Sequence, residues 1–140
     1  MFKDFDISSF KKMKPPGDNT FDTMQEIKAL KKIPIRKTFV KEFDNQESAF
    51  KKTAEREGIQ DYDSSVAKKL IEKSAPVILK LKKHFNRPRP KVLAKKMNIK
   101  MKDIEMDSMK TPSYPSGHSV QGTLIAKVLG DKYPKAKKAF

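Results

Sequence analysis

Two short segments carry most of the chemistry that this sequence offers. The first is Lys82-Lys83-His84-Phe85-Asn86-Arg87-Pro88-Arg89-Pro90. A lysine late in a helical pattern stands seven residues before an arginine in a proline-restricted, extended stretch. An ammonium and a guanidinium can thereby approach each other from two kinds of backbone. Arginine offers a planar fork for two oxyanion oxygens, and lysine a mobile point charge. A basic helix end is the plain structural alternative, since cations favour a helix C-terminus. The second segment is Thr111-Pro112-Ser113-Tyr114-Pro115-Ser116-Gly117-His118-Ser119. A Ser-Gly-His turn opening a helix presents free N–H groups and the positive end of the helix dipole to an anion. Gly117 lets backbone approach a ligand, Ser116 adds a hydroxyl, and His118 can exchange a proton near neutral pH. Here the plain alternative is a capped helix start with a surface histidine.

The elements that must position these residues read as helices. Pro15-Pro16-Gly17 is a stop signal. Asp18, Asn19 and Thr20 offer caps for a helix carrying Phe21, Met24, Ile27 and Leu30 at helical spacing, which Pro34 ends. A weaker helix is predicted from about Gln46 to Glu57, with Ala49, Phe50 and Ala54 on one face and Gly58 beyond its end. The clearest stripe is Ala67, Leu70, Ile71, Ser74, Ile78, Leu81 and Phe85, capped by Asp63, Ser64 or Ser65. Pro76 lies inside it and predicts a kink or two abutting helices. Residues 91–114 read as a long connection with one short helix, and Met97, Met101, Met106 and Met109 as soft gap-fillers. A further helix follows Pro115-Ser116-Gly117, with Val120, Leu124, Ile125 and Val128 as its apolar face and Gly130 just past its end. Pro134 would open a last one. The segment from Phe2 to Lys14 has no clear period. No alternating strand pattern stands out, so the expected class is all-α, a single helical domain over residues 1–140 with a loose segment at 1–17.

Composition bounds the function. The 140 residues contain 32 Lys+Arg and 17 Asp+Glu, a formal charge of +15, and no cysteine. Disulfide frameworks, cysteine zinc sites and cysteine nucleophiles are excluded. The charge is uneven: residues 1–79 carry a net +3 and residues 80–140 a net +12. Such a field concentrates anionic ligands. No apolar run approaches a membrane span and the first residues lack a signal-peptide layout, so the expected setting is cytoplasmic, with no integral membrane association. No metal-ligand cluster is evident.

Together the two segments resemble the type-2 phosphatidic acid phosphatase superfamily, which includes bacterial class A acid phosphatases and the vanadium haloperoxidases. Its Lys-x6-Arg-Pro motif is matched by Lys82 and Arg89-Pro90, and its Pro-Ser-Gly-His motif by Pro115-Ser116-Gly117-His118. The surrounding Ser113-Tyr114 and Ser119 look like the soluble class A form, and the similarity is strongest over about residues 80–134. It implies an incomplete helical bundle and a metal-independent phosphomonoester hydrolase. By resemblance, Lys82, Arg89, Ser116 and Gly117 hold the phosphoryl group, and His118 protonates the leaving oxygen. Vanadate is then expected as an inhibitor, or as the cofactor if the haloperoxidase likeness is the closer one. The expected partner is a small phosphorylated substrate.

The family's third motif, Ser-Arg-x5-His-x3-Asp, supplies the attacking histidine and has no counterpart here. His84 and His118 are the only histidines. The resemblance thus implies a truncated chain, with apolar faces at 67–85 and 120–128 partly uncovered and a tendency to homo-oligomerise. The alternative is a non-catalytic phosphate- or nucleic-acid-binding basic protein. The charge permits nucleic acid, but aromatic residues are not interleaved with the basic clusters as a stacking surface needs.

Overall fold

A 21-residue helix, α5 (Ser65–Phe85), is the longest element, and its stripe is buried as the spacing predicts. Ala67, Leu70, Ser74, Ile78 and Leu81 are all buried. The computed structural model describes residues 6–102 and 104–140. Among them the secondary structure is entirely helical, with α1 (Ile7–Lys11), α2 (Phe21–Lys31), α3 (Lys37–Phe43), α4 (Gln46–Arg56), α5, α6 (Pro90–Lys96) and α7 (Gly117–Lys132). Short 3-10 turns follow at Asp107–Met109 and Pro134–Ala136. No described helix is long and apolar enough to cross a membrane.

Several expectations are corrected. Pro76 does not divide α5 into two abutting helices: the helix is continuous through it, and Pro76 is exposed. Loss of one backbone hydrogen bond is outweighed by a face buried on both sides of it. Gly130 lies inside α7, not past its end, and is buried, with Lys137 so close that a Cβ there would stand 3.0 Å from its Cγ. Pro134 opens a 3-10 turn rather than an α-helix. Part of the aperiodic Phe2–Lys14 segment is α1, capped by the Asp6 carboxylate on Ser8 N–H at 2.9 Å; residues 1–5 lie outside the described residues. Of the α5 stripe, Ile71 and Phe85 are partly buried and the rest buried; on α7 Val120 is exposed and Ile125 buried.

The chain forms two units, each discontinuous in sequence. One joins the described residues up to Lys37 to Leu79–Pro115. In it α2 packs on α6 through Ile27, Leu93 and Ala94, with Met97, Ile99 and Met101 against them. Thr20 caps α2 by accepting from Thr23 N–H. Buried Thr23 donates its own hydroxyl to the Gly17 carbonyl at 2.7 Å. The Arg87 guanidinium spans from Thr23 Oγ1 at 3.1 Å to the Glu26 carboxylate at 2.6 Å. On α2 the periodic Phe21 and Leu30 are exposed, and the buried positions are Thr23 and Ile27.

The other unit joins Thr38–Ile78 to Ser116–Phe140. Its core is Ala67, Leu70, Ile125 and Leu129, ringed by Phe50, Tyr62, Leu124, Val128, Tyr133 and Phe140. Asn45 caps α4 by accepting from Ser48 N–H at 3.0 Å. Gly58, at φ 70°, adopts the left-handed turn that follows α4. Tyr133 fastens the 61–63 loop: its hydroxyl accepts from Asp63 N–H at 2.9 Å and donates to the Asp61 carbonyl at 3.0 Å.

Asp63 starts α5 by accepting from Ser65 N–H at 3.0 Å, and it accepts from Lys132 Nζ at 3.1 Å. The Ser65 hydrogen bonds, and after them Lys132, hold this carboxyl down at about 2. A carboxyl depressed in the folded state stabilises above its unfolded value of ~3.9 and loses that stabilisation as pH falls through its folded value. Urea denaturation of Asp63→Asn beside the parent should therefore show a stability gap at neutral pH that closes between about pH 4 and pH 2. A gap of constant size would assign Asp63 no titrating role.

Candidate functional site

The first cationic segment lies wholly in the first unit. Its geometry begins with Asn86, which sits at φ 45° and turns the chain out of α5. Asparagine tolerates this left-handed conformation better than most side chains. Arg87, Pro88 and Arg89 then run extended, with Arg89 at φ −66°, ψ 151° as the residue before α6 and Pro90 as its first residue. That placement satisfies Pro90, whose missing N–H would be unpaired there in any case.

Lys82 occupies a core-facing position of α5, one turn after Ile78, and is only 5% exposed. Its ammonium donates to the Pro112 carbonyl. Arg89 reaches the same loop: Nε donates to the Thr111 carbonyl at 2.7 Å, and Nη2 to the Ser108 carbonyl at 3.1 Å. Burial, and after it the charge of Arg89, push the Lys82 ammonium below its ordinary range. Among the described residues no carboxylate pairs with Lys82. Lys82 and Arg89 thus both hydrogen-bond to backbone carbonyls of the 108–112 loop.

The 108–113 loop that receives them is fixed by Ser113. Its N–H donates to the Arg87 carbonyl at 2.9 Å and its hydroxyl to the Pro88 carbonyl at 2.8 Å. Tyr114 packs edge-on against Phe85 at 5.0 Å between centroids and donates its hydroxyl to the Met13 carbonyl at 2.9 Å. Arg87 and Arg89, alike in sequence, are separated in role by structure. Arg87 is spent on Glu26 and Thr23, whereas Arg89 goes to the loop that also receives Lys82. His84 is exposed and lies against Phe85 at 4.9 Å.

The second segment is divided: Thr111–Pro115 belong to the first unit and Ser116–Ser119 to the second. Ser116 caps α7, its hydroxyl oxygen accepting from Ser119 N–H at 3.3 Å. The Gly117 and His118 N–H groups, in the first turn, donate to nothing among the described residues. His118 is held from two sides. Its Nε2 lies 2.8 Å from the Asp44 carbonyl and 3.2 Å from Asp44 Oδ1, and its own carbonyl accepts from Gln46 Nε2 at 2.8 Å. A carbonyl oxygen can only accept, so this geometry puts a proton on Nε2 and leaves Nδ1 as the nitrogen able to exchange one. Gly122 makes room for the clamp, since a Cβ there would stand 2.9 Å from Gln46 Nε2.

The candidate residues thus form two groups: Lys82 with Arg89, and Ser116 with Gly117 and His118. Asp44 and Gln46 were not legible as site residues, because 74 and 72 positions separate them from His118 and neither belongs to a motif. Lys82 did carry a signal: Ile78, Leu81, Lys82 and Phe85 share one helical face, so a lysine there points inward. Among the described residues no three His, Cys, Asp or Glu side chains cluster as metal ligands. No protein-family model, curated protein or solved structure matches the chain.

Proposed function

We propose that this chain is a phosphate-handling protein. More particularly, we read it as a metal-independent phosphomonoester hydrolase of the acid phosphatase kind. The observation that supports this reading is the buried Lys82 ammonium, held on the Pro112 carbonyl near Arg89. Phosphoryl transfer is mostly positioning and stabilisation of charge on the equatorial oxygens, and converging cationic donors supply both. In this reading Lys82 and Arg89 of the first unit bind phosphoryl oxygens; in the second unit, taken by itself, the Ser116 hydroxyl and Gly117 N–H are donors that an oxyanion can use. His118 donates its Nδ1 proton to the leaving oxygen while Asp44 steadies Nε2. Attack on phosphorus is not assigned to any residue of this chain.

A second reading is phosphate binding without turnover. It is favoured by the setting of Lys82 and Arg89, whose contacts are backbone carbonyls of the 108–112 loop and include no side chain able to attack phosphorus. Calorimetric titration with orthophosphate and orthovanadate, together with p-nitrophenyl phosphate hydrolysis without added metal, separates the two. Binding with vanadate-sensitive hydrolysis is expected under the first reading, and binding alone under the second. Failure to bind either anion rejects both. Where hydrolysis is seen, His118→Asn should lower kcat by about a hundredfold or more with phosphate affinity little changed. Asp44→Ala should lower it about tenfold and alter the pH profile. An unaltered profile would leave Asp44 without a positioning role.

A further inference from the structure

A separate surface of the first unit combines exposed aliphatic side chains with unneutralised lysines. Residues 28–37 contain Lys28, Lys31, Lys32, Arg36 and Lys37 and no acid; residues 91–102 contain five lysines and no acid. The fold brings these two stretches to one open depression of about 730 Å³. Its apolar part is Leu30, Ile33, Pro34, Ile35 and Met101, and its rim is Lys31, Lys32, Lys100 and Lys102. Ile33 is 62% exposed, Leu30 42% and Ile35 40%. Single exposed aliphatics are ordinary on a soluble protein, but several around one depression are not. A second, smaller depression adjoins it, shares Lys100 and Met101, and adds Lys95 to the basic edge. Among the described residues none of the four rim lysines forms an ion pair.

We propose that this face docks onto an anionic lipid bilayer. Charge complementarity selects the occupant. A second copy of the chain would bring the same lysines, and the molecule already carries a net +15. A nucleic acid would match the charge but would gain nothing from aliphatic side chains, and no aromatic ring lines either depression for bases to stack on. An acidic membrane surface uses both features. Its headgroups attract the lysines, while the exposed Leu30, Ile33 and Ile35 enter the headgroup–acyl boundary. The inference uses none of the phosphate-motif residues and does not depend on the reading above.

The test is co-sedimentation of the full chain with vesicles of phosphatidylcholine alone and of phosphatidylcholine with phosphatidylserine. Binding is expected only with phosphatidylserine present. Lys31→Ala with Lys32→Ala should weaken it about twentyfold or more, because each lysine at an anionic surface contributes about a fivefold factor. Ile33→Ser with Ile35→Ser should weaken it about tenfold or more at unchanged charge. Lys68→Ala with Lys69→Ala, an equal charge change on exposed positions of α5, should cost about twofold or less. Equal losses from the two lysine pairs, no loss from the isoleucine pair, or no preference for phosphatidylserine would each overturn the proposal. So would tight binding of a DNA duplex through Lys31 and Lys32 with the vesicles left unbound.

Discussion

Arg89→Ala is expected to weaken orthophosphate and orthovanadate binding by about a hundredfold, and to lower any p-nitrophenyl phosphate turnover by about a thousandfold. A charge-assisted bond to a ligand oxygen is worth about 1.5–3 kcal/mol, and loss of a donor aimed at transition-state charge costs about 10²–10³ in rate. Arg89 also braces the 108–113 loop through the Thr111 and Ser108 carbonyls, so the alanine variant loses loop order too. Arg89→Lys separates the effects. It keeps the charge but loses the planar fork, and should retain the helical circular dichroism while losing at least about tenfold in affinity. Parent-like affinity in both variants would remove Arg89 from the site.

Lys82→Met is expected to uncouple binding from stability. The parent keeps an ammonium 5% exposed, near Arg89, with the Pro112 carbonyl as its hydrogen-bond acceptor. Methionine has a similar reach and fills the same place on α5 without a charge to desolvate. Replacing buried charge by well-packed apolar side chains is often neutral or stabilising. The thermal midpoint should therefore stay level or rise, while phosphate affinity falls about thirtyfold or more. The pH dependence follows from the depressed ammonium. Below its folded value the parent carries the full cost of the buried charge, and that cost is relieved as pH rises from that value towards ~10.4, where the unfolded side chain also loses its proton. The stability gap between variant and parent should accordingly shrink on the alkaline side. A large drop in midpoint for Lys82→Met at neutral pH would show instead that the ammonium is structural.

Legibility in the sequence followed the strength of the apolar period. The α5 stripe was readable because seven positions repeat on one face, and the packing they provide carries the helix through Pro76. The α7 start was readable because Ser116 and Gly117 announce it. By contrast α3 was missed: it has seven residues, none of them buried, and its one internal feature is the Phe39–Phe43 ring pair at 4.5 Å. Thr23 was missed because its burial rests on hydrogen bonds with Gly17 and Arg87, which apolar periodicity does not register. The cation pair was readable in residue type, but its setting was not. Nothing in the order of residues states that Lys82 and Arg89 meet the carbonyls of 108–112, or that His118 meets Asp44. Those are long-range consequences of packing, and they decide which nitrogen of His118 is left to move a proton.

The interleaving of the two units bears on how the molecule is made. The first unit needs Arg87 to reach back to Thr23 and Glu26, and Ser113 to reach back to Arg87. The second needs His118 to find Asp44, and Tyr133 to find Asp61 and Asp63. As the chain leaves the ribosome, α2 and α4 emerge long before the residues that complete their surroundings. The early half must wait without its packing partners, and both cores close late, by loops of sixty residues and more.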